Sequence, residues 1–389
     1  MTLWLLPLFF IAIALGYSLG RIEQKRRTRQ QTDTLAQDYA RGINFLLNEQ
    51  PDQAVQVLVE CLAVNEHTIE THLSLARVFR KRGELDRATR MHENLLMTDD
   101  LSSELRDQVL LELALDYLSG GVFDRAEQLL LELIDRRSRQ RADAMRHLLQ
   151  IYEQEKDWHS ALAVGEKLLP EQPALAQVLA HYCCELAEAL KRNAADKAAN
   201  RTLRRALAFD KGCARAWLLR AQWDATDGQH KAALAAWLSL YALDGELFDE
   251  VLAQVEVSYR AHQGESEWLR FLADACIRQP STVRVLRLAQ GLEQHYGEAE
   301  AAQLLAEYMK ENPSVQGLHR FIDLKTGDAE EPLREHLQLL RQLTQKLPSA
   351  EGNYQCRDCG FNARKLHWQC PSCKAWGRVR QRQPLQPLS

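Results

Sequence analysis

The chain has 389 residues, of which 46% are apolar and 26% are charged. This composition is typical of a folded protein and excludes a largely disordered chain. The length exceeds that of one ordinary domain, so several units must share the burial of apolar side chains. The net charge of −4 is unevenly distributed, because residues 21–29 carry +4, residues 354–389 carry +6 and residues 30–353 carry −14.

The chain starts with an apolar segment that is followed by a basic one. Residues 3–20 contain no charged side chain, and 18 helical residues span about 27 Å, close to the ~30 Å hydrocarbon thickness of a bilayer. A cleaved signal peptide would carry basic residues before its apolar run, whereas Arg21 and Lys25 follow it. The sequence therefore predicts a membrane anchor over residues 1–20 and a basic juxtamembrane linker over residues 21–34. Because Lys and Arg stay on the cytoplasmic side, the bulk of the chain is expected there.

Residues 35–315 repeat a helix–turn–helix pattern in which an alanine follows each turn. These alanines are Ala54, Ala88, Ala126, Ala161, Ala198 and Ala233. Their spacing of 34 to 38 residues is typical of tetratricopeptide repeats, whose helix pairs bury their apolar faces by stacking on one another. We predict about eight pairs, the last two degenerate and centred on Gly264 and Gly297. In the seventh pair Leu269 takes the place of the small residue, so its helices are expected to be splayed or shifted.

The repeats predict an all-α solenoid with a concave groove formed mainly by the first helix of each pair, and such grooves hold peptides or helices of partner proteins. Four side chains are expected to face this groove and to contact partners: Arg77, Arg80, Arg146 and Gln150. A solvated helix face would account for them equally well. Residues 316–353 are predicted to form a terminal amphipathic helix, from Glu331 to Leu347, and a linker.

The last segment, residues 354–389, contains two C-x-x-C pairs separated by ten residues. Its cysteines are Cys356, Cys359, Cys370 and Cys373. Two such pairs supply the closed tetrahedral set of thiolates found in structural metal sites, so the spacing predicts a small metal domain, with two disulfides as the alternative. Gly360 and Pro371 suit the tight turns that such pairs need. Four sulfurs fit one zinc or one rubredoxin-type iron, and the spacing does not distinguish them.

The surroundings of this domain can also be anticipated. Trp368, between the two pairs, is expected to form the core of a module that is too small to build another one. The basic module could dock on the acidic body of the chain by electrostatic attraction. The remaining cysteines lie in helical sequence and are predicted to be buried as small apolar residues: Cys61, Cys183, Cys184, Cys213 and Cys276.

The sequence contains no nucleophile elbow, phosphate-binding loop or zinc-protease motif. A metal held by four cysteines has no open position for a water molecule, so the chain is predicted to be a binding protein and not an enzyme. Two alternatives stay open. Iron at the four cysteines would make the module an electron carrier. The basic residues of the module, with Trp368 and Trp376, would suit a nucleic-acid-binding zinc ribbon, although nucleic acid is the less favoured partner.

The chain resembles the lipopolysaccharide assembly protein B family over essentially its whole length. The resemblance lies in the order of anchor, repeats and terminal C-x-x-C-G…C-P-x-C, and in the segments DYARGINFLLNEQPDQAV and YQCRDCGFNARKLHWQCPSCKAW. It implies a single-pass protein of the bacterial inner membrane, with tetratricopeptide repeats and a rubredoxin-like domain on the cytoplasmic side. It also implies that the four cysteines of the two pairs bind one iron or zinc ion and that the metal domain packs on the repeats.

The functional implication of the resemblance is an adaptor. The family brings the committed deacetylase of the lipid A pathway to a membrane-bound ATP-dependent metalloprotease for degradation, and it helps to gather other lipopolysaccharide assembly proteins at the inner membrane. His367 departs from the tyrosine usual before the tryptophan, which leaves the metal ligands unchanged. A homo-oligomer is compatible with the sequence, which does not fix the oligomeric state.

Overall fold

The computed structural model describes residues 68–98, 101–327, 329–345 and 354–381. The predicted membrane anchor over residues 1–20, the linker over residues 21–34 and the first alanine of the repeat pattern, Ala54, lie outside these ranges. Among the helices within these ranges, none combines the length and the apolar character that crossing a bilayer requires.

The chain consists of two compact units, and the boundary between them lies between Asp157 and Trp158. The first unit contains the helices α1 (Ile69–Lys81), α2 (Leu85–Leu96), α3 (Ser103–Ser119), α4 (Phe123–Asp135) and α5 (Arg141–Glu155). α1 and α2 form one helix–turn–helix pair and α3 and α4 form the next, while α3 also packs on α2. This is the stacking of successive pairs that the repeat pattern predicts.

The second unit continues the helical repeats and ends in a small sheet. Its helices are α6 (Trp158–Leu168), α7 (Leu175–Arg192), α8 (Asp196–Phe209), α9 (Ala214–Thr226), α10 (His230–Leu243), α11 (Gly245–Glu250), α12 (Leu252–His262), α13 (Glu265–Arg278), α14 (Thr282–Tyr296), α15 (Glu298–Glu311), α16 (Val315–Gly327) and α17 (Leu333–Gln345). Its strands are β1 (Tyr354–Cys356), β2 (Asn362–Ala363) and β3 (Val379–Gln381).

Glycine allows the tight turn inside the first two pairs. Gly83 and Gly121 have φ angles of +82° and +72°, in the left-handed region where a Cβ is unfavourable. The next N–H after each glycine donates to a carbonyl five residues earlier, Glu84 N to Phe79 O and Val122 N to Tyr117 O, both at 2.9 Å. These bonds satisfy the last carbonyls of the first helix and reverse the chain.

A buried alanine lies at the fourth position of five helices, namely α2, α4, α6, α8 and α10. These alanines are Ala88, Ala126, Ala161, Ala199 and Ala233, each fully buried. The prediction of Ala198 was therefore wrong by one residue. The turn before α8 uses Ala194 in the left-handed conformation (φ 58°) instead of a glycine, so the sequence carried no clear mark of where that helix begins.

The seventh pair, α12 and α13, differs from the others at this position. Trp268, not an alanine, is the fourth residue of α13, and it is buried. Leu269 is not at the alanine position but points to α14, where a Cβ on Gly291 would lie 2.2 Å from Leu269 Cδ2. Gly291 on the next helix accommodates Leu269, which corrects the expected role of that leucine.

Two helices were not indicated by the sequence. α11 lies between the sixth and seventh pairs, and the Asp244 side chain caps it by accepting from the Leu247 N–H at 3.0 Å. α16 precedes the predicted terminal helix and pairs with it through a hydrogen bond of 3.1 Å between His319 Nδ1 and Thr344 Oγ1. The terminal helix itself, α17, lies within the predicted span.

Candidate metal centre

The metal module is a three-stranded antiparallel sheet with strand order β2-β1-β3. β1 lies in the middle, with Tyr354 opposite Ala363 on one side and Gln381 on the other. Its small core consists of Cys356, Cys370 and Val379, against which Tyr354 and Phe361 pack. Two of the core residues are thus predicted metal ligands.

The four cysteines converge as the sequence predicts. All four sulfur atoms lie within 4.8 Å of one another, with 3.7 Å between Cys356 and Cys373 and 3.6 Å between Cys359 and Cys370. A tetrahedral ion with metal–sulfur bonds of ~2.3 Å requires sulfur–sulfur distances of about 3.8 Å. The donor set therefore fits one four-coordinate ion, and in the described part of the chain these cysteines are free thiols and not disulfides.

The two C-x-x-C turns are built alike. In each, the first cysteine is buried and the second is exposed. The residue after the second cysteine, Gly360 or Lys374, has a positive φ, and its N–H donates to the carbonyl of the first cysteine at 2.9 Å and 3.0 Å respectively. A backbone hydrogen bond from Phe361 lowers the pKa of Cys359 to about 6. Despite a backbone hydrogen bond from Ala375, desolvation and hydrogen bonds to the other three cysteines raise the pKa of Cys373 to about 12.

Aromatic side chains dock the module on α7. Trp376 stacks on His181, with ring centroids 5.2 Å apart, and its edge meets Tyr182 at 5.8 Å and Trp158 of α6 at 6.1 Å. Burial, together with the charges of Arg215 and Arg380, lowers the pKa of His181 to about 3. His181 is therefore a neutral stacking partner at physiological pH.

Trp368 also contacts the repeats. The guanidinium of Arg215, the second residue of α9, lies 5.4 Å from the ring centroid of Trp368, and Trp368 packs against the large apolar core of the helices. Arg215 is itself held by Glu185 at 2.8 Å and Glu188 at 3.1 Å on α7. The expectation that Trp368 forms the core of the module was wrong, since the sheet and cysteines form that core and Trp368 lies at the docking surface.

Opposite charges complete this contact, as the charge distribution of the chain suggested. Arg380 pairs with Asp244 at 3.1 Å and Arg357 pairs with Glu246 at 3.2 Å. These acidic residues lie at and just after the N-terminus of α11, so the helix that the sequence did not reveal supplies part of the docking surface. The module thus rests on α6, α7, α9 and α11.

Two of the side chains expected in the groove, Arg77 and Arg80, take part in an ion network between α1 and α3. Arg77 Nε donates to Glu112 at 2.8 Å, and Arg80 donates to Glu112 at 2.6 Å and to Asp116 at 2.8 Å. The Asp116 side chain is completely buried. The two arginines thus bind α1 to α3, and their contact with a partner stays a prediction.

The other two side chains expected in the groove lie on α5. Arg146 pairs with Asp143, one turn earlier on the same helix. Gln150 is exposed. A surface ion pair of this kind contributes little stability, so Arg146 and Gln150 stay candidates for partner contacts.

The ion network predicts a pH dependence of the first unit. Burial by itself would raise the pKa of Glu112, but its hydrogen bonds with Arg77 and Arg80 prevail and the pKa lies below the usual 4.5. A carboxylate with a depressed pKa stabilises the fold above its unfolded pKa, and this stabilisation is lost as the pH falls through the folded pKa. Pulsed hydrogen exchange can give the urea concentration at which α3 is half unfolded. We expect this midpoint to decrease as the pH is lowered from about 5 to about 3, and to decrease more in the wild type than in Glu112→Gln. Parallel profiles for the two proteins would contradict this role.

The fold and the site define a class of protein: a helical repeat protein of the tetratricopeptide type that carries a four-cysteine, rubredoxin-like metal-binding module. Residues 354–381 match the family model described as a rubredoxin metal binding domain. The chain is 32% identical over 374 residues to lipopolysaccharide assembly protein B of Escherichia coli (strain K12), with 95% of each chain covered. The chain belongs to the lipopolysaccharide assembly protein B family.

Further similarities extend this comparison. The protein of the same name from Haemophilus influenzae is 31% identical over 380 residues, covering 95% of this chain and 96% of that one. Among solved structures, a tetratricopeptide repeat protein from Parabacteroides merdae aligns with a TM-score of 0.33 and 13% identity, covering 72% of this chain and 100% of that chain.

Proposed function

We propose that this chain is an adaptor of lipopolysaccharide assembly that is tethered to the inner membrane by residues 1–20 and acts from the cytoplasmic side. The observation that carries the proposal is the similarity to lipopolysaccharide assembly protein B over 95% of both chains. The repeat architecture supports it, because stacked helix pairs offer extended surfaces for other proteins.

In the proposed mechanism the chain acts through proximity. The anchor confines the repeats to the membrane surface, where a membrane-bound ATP-dependent metalloprotease is also confined, and the repeats bring it the committed deacetylase of the lipid A pathway. Other lipopolysaccharide assembly proteins gather on the same scaffold. Arg77, Arg80, Arg146 and Gln150 are the proposed contacts with these partners.

The metal has a structural role in this proposal. An ion bound by Cys356, Cys359, Cys370 and Cys373 would cross-link the two turns and give the module its fold. The folded module then presents Trp368 and Trp376 to α7 and α9, where these side chains hold it in place. A closed set of four thiolates leaves no position for substrate, so the proposed role of the metal is non-catalytic.

Removal of residues 1–20 tests the proposal in cells. The soluble form is expected to fold but to lose regulation, so that the deacetylase becomes several-fold longer-lived than in cells with the intact chain. A chain in which an unrelated single-pass anchor of the same orientation replaces residues 1–20 is the control, and it should restore turnover. Normal deacetylase turnover with the soluble form would refute the tethering mechanism.

The exposure of Cys359 and Cys373 favours one alternative, a rubredoxin-type electron carrier. An iron near the surface could exchange electrons with a partner. The purified chain would then be red and show a reversible one-electron redox wave. A colourless zinc protein from cells in which regulation is intact would exclude this alternative.

A further inference from the structure

The helix α17 leaves a row of leucines uncovered. These are Leu333, Leu339, Leu340 and Leu343, with 48% to 57% of their surface exposed, and we call them the leucine stripe. The adjoining face of α17 is fixed to α16, where Thr344, one turn after Leu340, is buried and Arg341 pairs with Asp323 at 2.7 Å. The helix is therefore held in one orientation with its leucine stripe turned outward.

The equivalent helices earlier in the second unit are covered. The first helix of the next pair packs on the second helix of the pair before it, as α14 does on α13 and α16 does on α15. In the described part of the chain no helix covers the leucine stripe on α17. The stripe thus continues the helix-stacking surface that the other pairs bury, and the occupant that fits it is a helix.

Three residues of the leucine stripe, together with His336, form a regular row along α17. Leu333, His336, Leu340 and Leu343 follow one another at intervals of three, four and three residues, which is the heptad seam of paired helices. The seam is symmetric about Gln338, because Leu333 and Leu343 lie five residues on either side of it and His336 and Leu340 lie two residues on either side. An antiparallel copy of α17 would therefore place leucine on leucine at both ends of the seam and His336 opposite Leu340 between them.

We infer that the leucine stripe pairs with the stripe of a second copy of this chain in a two-fold symmetric, antiparallel dimer. A patch that complements itself is what such an interface requires. One face of a 13-residue helix is smaller than the ~800 Å² per partner of a stable interface, so the dimer dissociates on the order of micromolar concentrations. This inference is independent of the proposed adaptor role.

Other occupants fit the stripe less well. A helix that lies on an anionic membrane is rich in Lys and Arg, whereas α17 contains two arginines, of which Arg341 is paired, and the polar positions beside its leucines are largely glutamines.

The mass of the full chain in detergent, measured by sedimentation between about 0.5 and 100 µM, tests the inference. We expect a monomer–dimer equilibrium that Leu340→Glu and Leu343→Glu each weaken at least about tenfold. Gln338→Glu adds the same charge on the opposite side of the helix and should change the equilibrium less than about twofold. Metal content and helical circular dichroism, measured on every variant, show that each one is folded.

Photoreactive leucine, incorporated into an equal mixture of unlabelled and ¹⁵N-labelled chains, tests the same contact without a substitution. Cross-links of mixed isotope composition between the Leu333 and Leu343 segments are expected. A monomer at every concentration, or a dimer that Leu340→Glu leaves intact, would overturn the inference. Cross-links within one copy to residues 1–67, or binding to anionic vesicles that Leu340→Glu abolishes, would overturn it by revealing a different occupant.

Discussion

Substitution of Cys370 by serine is expected to release the metal and unfold residues 354–381. Cys370 is fully buried and lies at the centre of the module's small core, so the loss of its sulfur removes both a ligand and a core contact. Metal binding in modules of this size is coupled to folding and contributes on the order of 10 kcal/mol. Metal content by mass spectrometry should fall to near zero, and hydrogen exchange of β1 and β3 should lose its protection.

The same substitution is expected to increase hydrogen exchange in the helical repeats as well. Trp376 and Trp368 leave α7 and α9 when the module unfolds, so His181 and Tyr182 become exposed and the exchange of α7 increases. Cys276→Ser, the same change at a half-buried thiol of α13 outside the cysteine cluster, should leave the metal in place. Full metal content and unchanged protection of β1 in Cys370→Ser would contradict the assignment of this cysteine as a ligand.

Trp376→Ala is expected to release the module from the repeats without removing its metal. Truncation of a well-packed tryptophan costs about 3–5 kcal/mol, and here it removes the stack on His181 and the edge contacts with Trp158 and Tyr182. Exchange of the α7 segment around His181 should therefore increase by a factor of about 100 or more. The metal content should stay at one ion per chain, because Trp376 contributes no ligand.

A surface substitution in the same module controls for nonspecific effects. Arg364 is exposed and lies on the turn after β2, so Arg364→Ala should change neither metal content nor exchange of α7. If Trp376→Ala left α7 as protected as in the wild type, docking would depend on the ion pairs of Arg357 and Arg380 and not on the aromatic contact. Loss of metal in Trp376→Ala would instead show that docking and metal binding are a single transition.

Much of the helical repeat could be predicted from sequence because its marks are local. Gly83 and Gly121 mark turns that other residues adopt with strain, and buried alanines recur at the fourth position of each second helix. Where these marks change, the prediction failed. Ala194 replaces a turn glycine, and the alanine predicted for the fifth pair was one residue too early. Trp268 takes the place of the alanine in the seventh pair, and Gly291 on the next helix leaves room for the neighbouring Leu269.

The metal ligands could be predicted residue by residue, whereas the docking of the module could be anticipated only from its charge and not as a particular surface. The spacing of two C-x-x-C pairs reports a local geometry, so the sequence alone predicted that the four sulfurs would converge. The partners of Trp376 lie roughly two hundred residues earlier in the chain, on helices whose orientation depends on the packing of their neighbours. Two tryptophans in so small a module are more than its core can bury, and this excess is the signal that could have indicated a docking surface.

The most direct test of the account reconstitutes its proposed parts in one bilayer. Vesicles that hold the membrane-bound protease and the intact chain are supplied with the deacetylase, and the rate of its degradation is measured against the amount of chain added. We expect a rate that rises with the intact chain, falls when the chain lacks its anchor, and is equal for zinc-loaded and iron-loaded preparations. A rate that does not respond to the chain, or that requires the redox-active metal, would contradict the claim that this protein acts by contact.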